Sequence, residues 1–96
     1  MSSSPLQSVV EHDARLDMLD CLDRKPQTIR QVSERIDKAD RHVAHHMKML
    51  VAFDLAKKTG DQGEDGQPLY VADLKEQPTW VARAVNVRRR ARANKG

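Results

Sequence analysis

Apolar positions along the chain fall into stripes of helical spacing, then switch to a strand pattern, then return to helical spacing. From Leu6 to about Asp23, Met18 with Leu16, Leu19 and Leu22 predicts one first helix. "RKPQ" ends it, because Pro26 cannot donate a backbone hydrogen bond. "TIRQVSERID" follows, and its Thr28 and Gln31 form a T-x-x-Q capping box that marks a helix start. Ile29, Val32 and Ile36 share one face of this short second helix, which should stop near Asp37. "DKAD" then leaves room only for a tight connection before a third helix over about residues 39–53. At about 100° per residue, Val43, Met47 and Leu50 lie on one side of it. Arg41, Ala44, His45, Lys48 and Ala52 lie on the other, with His42 and His46 at the boundary.

After Asp54 the pattern changes. "LAKKT" and "PLYVADL" predict two strands, and the polar "GDQGEDG" between them makes a hairpin whose long loop should project. Pro78 suits the first turn of a last helix, along which Trp80, Ala84, Val87 and Ala91 recur with Val81 and Val85 alongside. "RRRARANKG" should fray. The order of helix, helix, tight turn, helix, hairpin and helix predicts a mainly α fold with a small β-hairpin, the winged helix-turn-helix. The expected divisions are a flexible start over 1–5, the winged helix-turn-helix over 6–87, and a basic tail over 88–96.

Composition narrows the picture. Ninety-six residues make one small domain with a modest core, which a partner subunit would help to complete. Its aromatics are Phe53, Tyr70 and Trp80, so Leu, Val, Ile, Met and Ala must carry that core. The single Cys21 allows no internal disulfide and no CxxC metal knuckle, and its place in the first apolar stripe makes it a buried structural thiol. With no membrane-length apolar stretch and no signal peptide in view, a cytoplasmic protein with no membrane partner is the expectation.

The net charge of +3 is unevenly spread. Residues 59–78 carry five acidic side chains against one basic, and residues 79–96 carry six basic and no acidic ones. That asymmetry points to an anionic partner, with a solvated surface as the alternative. No Ser/His/Asp or Cys/His arrangement, phosphate loop or paired-carboxylate motif stands out, so an enzyme is not expected.

Four segments in order resemble the ArsR-type winged helix-turn-helix regulators of bacteria. "HDARLDMLDCL" is similar to the family's first-helix pattern D-P-x-R-L-x-I-L-x-x-L, and "TIRQVSERI" to T-v-x-e-L-a-e-x-l. "RHVAHHMKML" resembles s-t-v-S-x-H-L-k-x-L, and "FDLAKK…GQPLYVADL" resembles a-G-L-v…G-x-x-x-Y-x-L. Together they cover roughly residues 9–74. The resemblance implies a dimeric DNA-binding regulator, paired through its first and last helices. Leu16, Trp80, Val81, Ala84, Val85 and Val87 are the residues expected in that pairing. Several positions depart from the pattern. Asp37 and Asp54 stand where the family often has Gly, and Ala44 where it often has a DNA-contacting Ser. The wing carries Asp61, Glu64 and Asp65, which phosphate would repel, and the C-x-C motif of the family's metal sensors is missing.

The reading is a sequence-specific regulator of transcription that binds double-stranded DNA as a homodimeric repressor. In a recognition helix the N-terminal half touches base edges. Arg41 can make the two-pronged contact to guanine, His45 can donate to a base or a phosphate, and Ala44 lets the groove come close or packs on a thymine methyl. His42 edges the same face, while Lys48 and Lys38 suit phosphate. Thr28 and Gln31 present a helix N-terminus, which attracts phosphate, and Lys57 and Lys58 enter the wing. His42 and His46, spaced i, i+4, supply only two ligands, fewer than zinc needs; even with His12 nothing completes a metal site, so no metal or cofactor is expected. A winged helix serving as a protein-interaction module and a ligand- or metal-responsive sensor remain the alternatives.

Overall fold

The computed structural model describes residues 5–94, and within them the chain forms a winged helix-turn-helix. The order is α1 (Pro5–Val10), α2 (Asp13–Arg24), α3 (Ile29–Ile36), α4 (Asp40–Ala52), β1 (Ala56–Gln62), β2 (Pro68–Ala72) and α5 (Thr79–Ala93). One core joins them: Val9 and Val10 of α1, Met18, Leu19 and Leu22 of α2, Val32 of α3, Val43, Met47 and Leu50 of α4, and Val81 and Val85 of α5. Leu55, Ala56 and Tyr70 close it from the hairpin.

The expected first helix is two helices. On one continuous helix Val9 would stand about 180° from Met18, yet both are buried. The chain therefore breaks after Val10, and His12 takes an extended backbone before α2.

The capping box forms as the sequence predicts. Gln31 N–H donates to Thr28 Oγ1 at 3.2 Å, and Thr28 N–H donates to Gln31 Oε1 at 2.9 Å. Asp37 ends α3 in the left-handed region at φ 58°, and Asp54 follows α4 at φ 61°. Both sit where the ArsR-type pattern favours Gly, and Asp tolerates that backbone better than most residues.

The wing differs from expectation. β1 runs on to Gln62, so the turn is short, spanning residues 63–67. It does not simply project: a Cβ placed on Gly63 would lie 2.6 Å from Thr28 Cγ2, so the wing leans on the start of α3. Gln27 and Tyr70 exchange backbone hydrogen bonds of 3.0 and 2.8 Å, tying the same region to β2.

The basic tail is also corrected. Residues 88–93 belong to α5, and Lys95 and Gly96 lie outside the described residues, as does most of the expected N-terminal flexible segment. Arg88 grips Asp17 with two hydrogen bonds of 2.8 and 3.3 Å. Arg89 donates to Asp20 at 2.6 Å and Arg92 at 3.4 Å. Asp13, Asp17 and Asp20 recur at i, i+4, i+7 on α2, so the two helices meet along a charged seam. Pro78 precedes α5 as its N-cap residue rather than lying in its first turn.

Candidate nucleic-acid interface

The capped start of α3, the left-handed residue Asp37 and the start of α4 set the angle between the two helices of the motif. A polar bridge reinforces it. Ser33 Oγ donates to Asp40 Oδ1 at 2.6 Å, and Arg30 donates to Asp40 Oδ2 at 3.3 Å. The Ser33 hydrogen bond first, and Arg30 second, hold the Asp40 carboxyl below the usual range against its desolvation. Neither Arg30 nor Asp40 was singled out from sequence. An acidic first turn on α4 was visible, but its partner ten residues earlier lies on another helix.

With α4 fixed in this way, Val43, Met47 and Leu50 are buried and Arg41, His42, His45 and Lys48 are exposed. Ala44 is half-buried between Arg41 and Lys48. Among the described residues, Lys38, Arg41, Lys48 and Lys58 have no ion-pair partner. Lys48 and Lys58 line one recess of about 400 Å³ with Ala44, Val51 and Tyr70, so the recognition-type helix and the base of the wing converge there. Lys57, by contrast, is 3.6 Å from Asp73.

Two expected contact residues are placed differently. Thr28 is 6% exposed and lies under Gly63, so it caps α3 rather than facing outward. Gln31 is exposed, but its side-chain oxygen is committed to the Thr28 N–H. The wing thus covers the capping residue Thr28, while Arg30 and Gln31 of the first turn stay exposed.

The histidines divide by environment. His46 is half-buried: Arg15 Nε donates to its Nδ1 at 3.0 Å, and its ring centroid is 4.7 Å from that of His12 and 5.8 Å from that of His45. Burial first, then the positive field of His12, Arg15, His45 and His42, pushes its pKa down to about 4. His46 is therefore neutral near pH 7 and accepts through Nδ1, which leaves the ring proton on Nε2. Arg15 also donates to Val9 O at 3.2 Å, so this contact joins the α1–α2 break to α4. Among the described residues, no three His, Cys, Asp or Glu side chains are arranged to hold a metal ion.

The face expected to pair two subunits is smaller than the sequence suggested. Val81 and Val85 are 0% and 1% exposed and belong to the chain's own core. Leu16, Trp80 and Ala84 are half-buried and Val87 is 60% exposed; with Ala91, Arg83 and Arg88 they line a shallow recess of about 520 Å³. No helix among the described residues is long and apolar enough to cross a membrane.

Neither a protein-family model nor a curated protein matches the sequence. The structure is similar to that of a cysteine-to-serine mutant of ZitR from Lactococcus lactis, with a TM-score of 0.68 and 15% identity. The match covers 99% of this chain, which spans 62% of the length of ZitR. A likeness at this identity shows the winged-helix fold.

Proposed function

We propose that the chain is an ArsR-type regulator of transcription that binds double-stranded DNA as a homodimer, inserts α4 into the major groove and acts as a repressor. The observation that carries this reading is one face of α4. Arg41, His45 and Lys48 are exposed there, and the two cations are unpaired, whereas Arg88, Arg89 and Arg92 are engaged by aspartates. The small Ala44 lets another surface come close to α4, and the unpaired cations on either side of it supply charge for an anionic partner. A helix approaching base edges needs both.

In this reading Arg41 contacts a base edge, His45 and His42 lie on or beside the groove, and Lys48 and Lys58 hold one phosphate strand at the base of the wing. Asp61, Glu64 and Asp65 are all exposed around the wing tip, so phosphate contact there is unfavourable. Lys38 reaches phosphate from the tight turn. Repression follows from occupancy, because a dimer seated on its operator excludes other proteins from it.

Fluorescence anisotropy with duplex DNA from the gene's own upstream region, at two salt concentrations, tests the reading. Binding that weakens steeply with salt supports it. No binding at low salt would instead favour a protein-interaction module, the reading to which the acidic wing lends support.

A further inference from the structure

Four arginines from three helices line one recess that the DNA reading does not use. Arg24 ends α2, Arg35 lies in the last turn of α3, and Arg89 and Arg92 lie near the end of α5. With Asp20, Cys21 and Ala93 they bound a space of about 380 Å³. Arg35 stands about 140° around α3 from Arg30, which is turned toward the start of α4. The recess shares no lining residue with α4.

Asp20 is the one carboxylate in that lining, and three of the four arginines converge on it. Arg89 Nε lies 2.6 Å from it, Arg92 3.4 Å and Arg24 3.5 Å. Arg35 has no ion-pair partner among the described residues. Arg89 also lies 3.8 Å from Asp23 and Arg92 3.6 Å from Asp17, whereas Arg24 has Asp20 alone among the described residues. A guanidinium carries five N–H donors, so Arg24 and Arg35 keep most of theirs for a ligand. Arginines in last turns also offset the partial negative charge of helix ends. That effect explains a cation at the end of each helix, but it does not require four to border the same space.

We propose that this recess binds a small polyvalent oxyanion, a phosphate ester or a polycarboxylate, held chiefly by Arg24 and Arg35. Planar guanidinium forks pair with carboxylate and phosphate oxygens two bonds at a time, and both side chains reach solvent. Asp20 keeps Arg89 and Arg92 in place behind them. The bound anion would join α2 and α5 to α3, the first helix of the helix-turn-helix. Cys21 takes no part in this binding; burial pushes its thiol pKa up, against the pull of Arg92 and Arg35.

The test is calorimetric titration and thermal melting of the full chain with inorganic pyrophosphate and, in a second arm, citrate. Sodium chloride at matched ionic strength is the reference. Saturable binding and a higher melting temperature are expected in at least one arm, and the arm that responds identifies phosphate or carboxylate chemistry. Arg35→Gln should weaken the binding about tenfold or more, the scale of lost hydrogen bonds to a charged group, and Arg24→Gln gives an independent second reading. Arg41→Gln, which does not line the recess, should bind as the parent does. Melting equal to that in sodium chloride would overturn the proposal. So would undiminished affinity in both Arg35→Gln and Arg24→Gln, or affinity lost in Arg41→Gln, which would move the anion to α4. None of these outcomes depends on whether the chain binds DNA.

Discussion

Arg89 Nε lies 2.6 Å from Asp20 Oδ1, joining α5 to α2 across 69 positions of sequence. Asp20 is 4% exposed, and Arg24 and Arg92 also converge on it. Beyond Val85, no side chain of α5 up to Ala93 is buried. The second half of the helix is therefore held by this charged seam.

Asp20→Ala should loosen that half. It removes the shared acceptor, leaving Arg24 without its ion pair and Arg89 and Arg92 with only the longer contacts to Asp23 and Asp17 at 3.8 and 3.6 Å. Breaking a fully buried ion pair costs about 3–5 kcal/mol, and the partial solvation of these arginines lowers the expectation to about 2–3 kcal/mol. Urea unfolding followed by circular dichroism measures it. A loss below about 0.5 kcal/mol, the range of ordinary surface substitutions, would mean that the seam is ornamental.

The His46 environment predicts an acid-sensitive fold. Its ordinary pKa is 6.5 and its folded value about 4, so the unfolded chain binds the extra proton between those values. Stability from this group is complete above about pH 6.5 and is lost as pH falls toward 4. Melting temperatures measured across that window should drop, and His46→Gln should flatten the drop. A parent and variant with parallel pH profiles would contradict the assignment.

Gly63 predicts a rescue. A Cβ at this position would come 2.6 Å from Thr28 Cγ2. Gly63→Ala should destabilise the protein by about 1–3 kcal/mol through overpacking. Thr28→Ser keeps the capping hydroxyl but deletes the offending methyl, so the double variant should recover most of that loss. Additive losses in a double-mutant cycle would show that the wing does not rest on α3.

The exposed and buried sides of α4 were legible because helical periodicity is local. So was the α3 cap, which needs only residues three apart. The break between α1 and α2 was not, since Val9 and Met18 face the core only after the helix is interrupted. The arginines of α5 read as a tail because their partners lie about seventy positions away, although the i, i+4, i+7 aspartates of α2 were a visible signal. Val81 and Val85 were marked as apolar correctly but assigned to the wrong neighbour. Periodicity identifies a face without saying which surface covers it.

Arg41 and Lys48 should behave differently on DNA. Arg41→Ala should cost about 1–3 kcal/mol on the preferred sequence and flatten the preference among sites. Lys48→Ala should weaken all sequences alike and make the salt slope shallower by about one per half-site. Binding titrations against preferred and scrambled duplexes over a range of salt separate the two. An unchanged specificity ratio in Arg41→Ala would remove it as a base reader.

Val87 tests the proposed dimer without disturbing the fold. It is 60% exposed, whereas Val81 and Val85 of the same helix are buried. With Leu16, Trp80, Ala84 and Ala91 it completes an apolar strip that pairing across a two-fold axis would remove from water. Val87→Glu should therefore leave the melting temperature of a monomer nearly unaltered while light scattering shows the dimer dissociating. Affinity for an inverted-repeat duplex should fall with it, because two copies of α4 about one DNA turn apart, roughly 34 Å, would no longer bind as a unit. A single half-site should be bound as before. If Val87→Glu stays dimeric, the subunits pair through another surface, and the spacing of the recognition helices must follow from that surface instead.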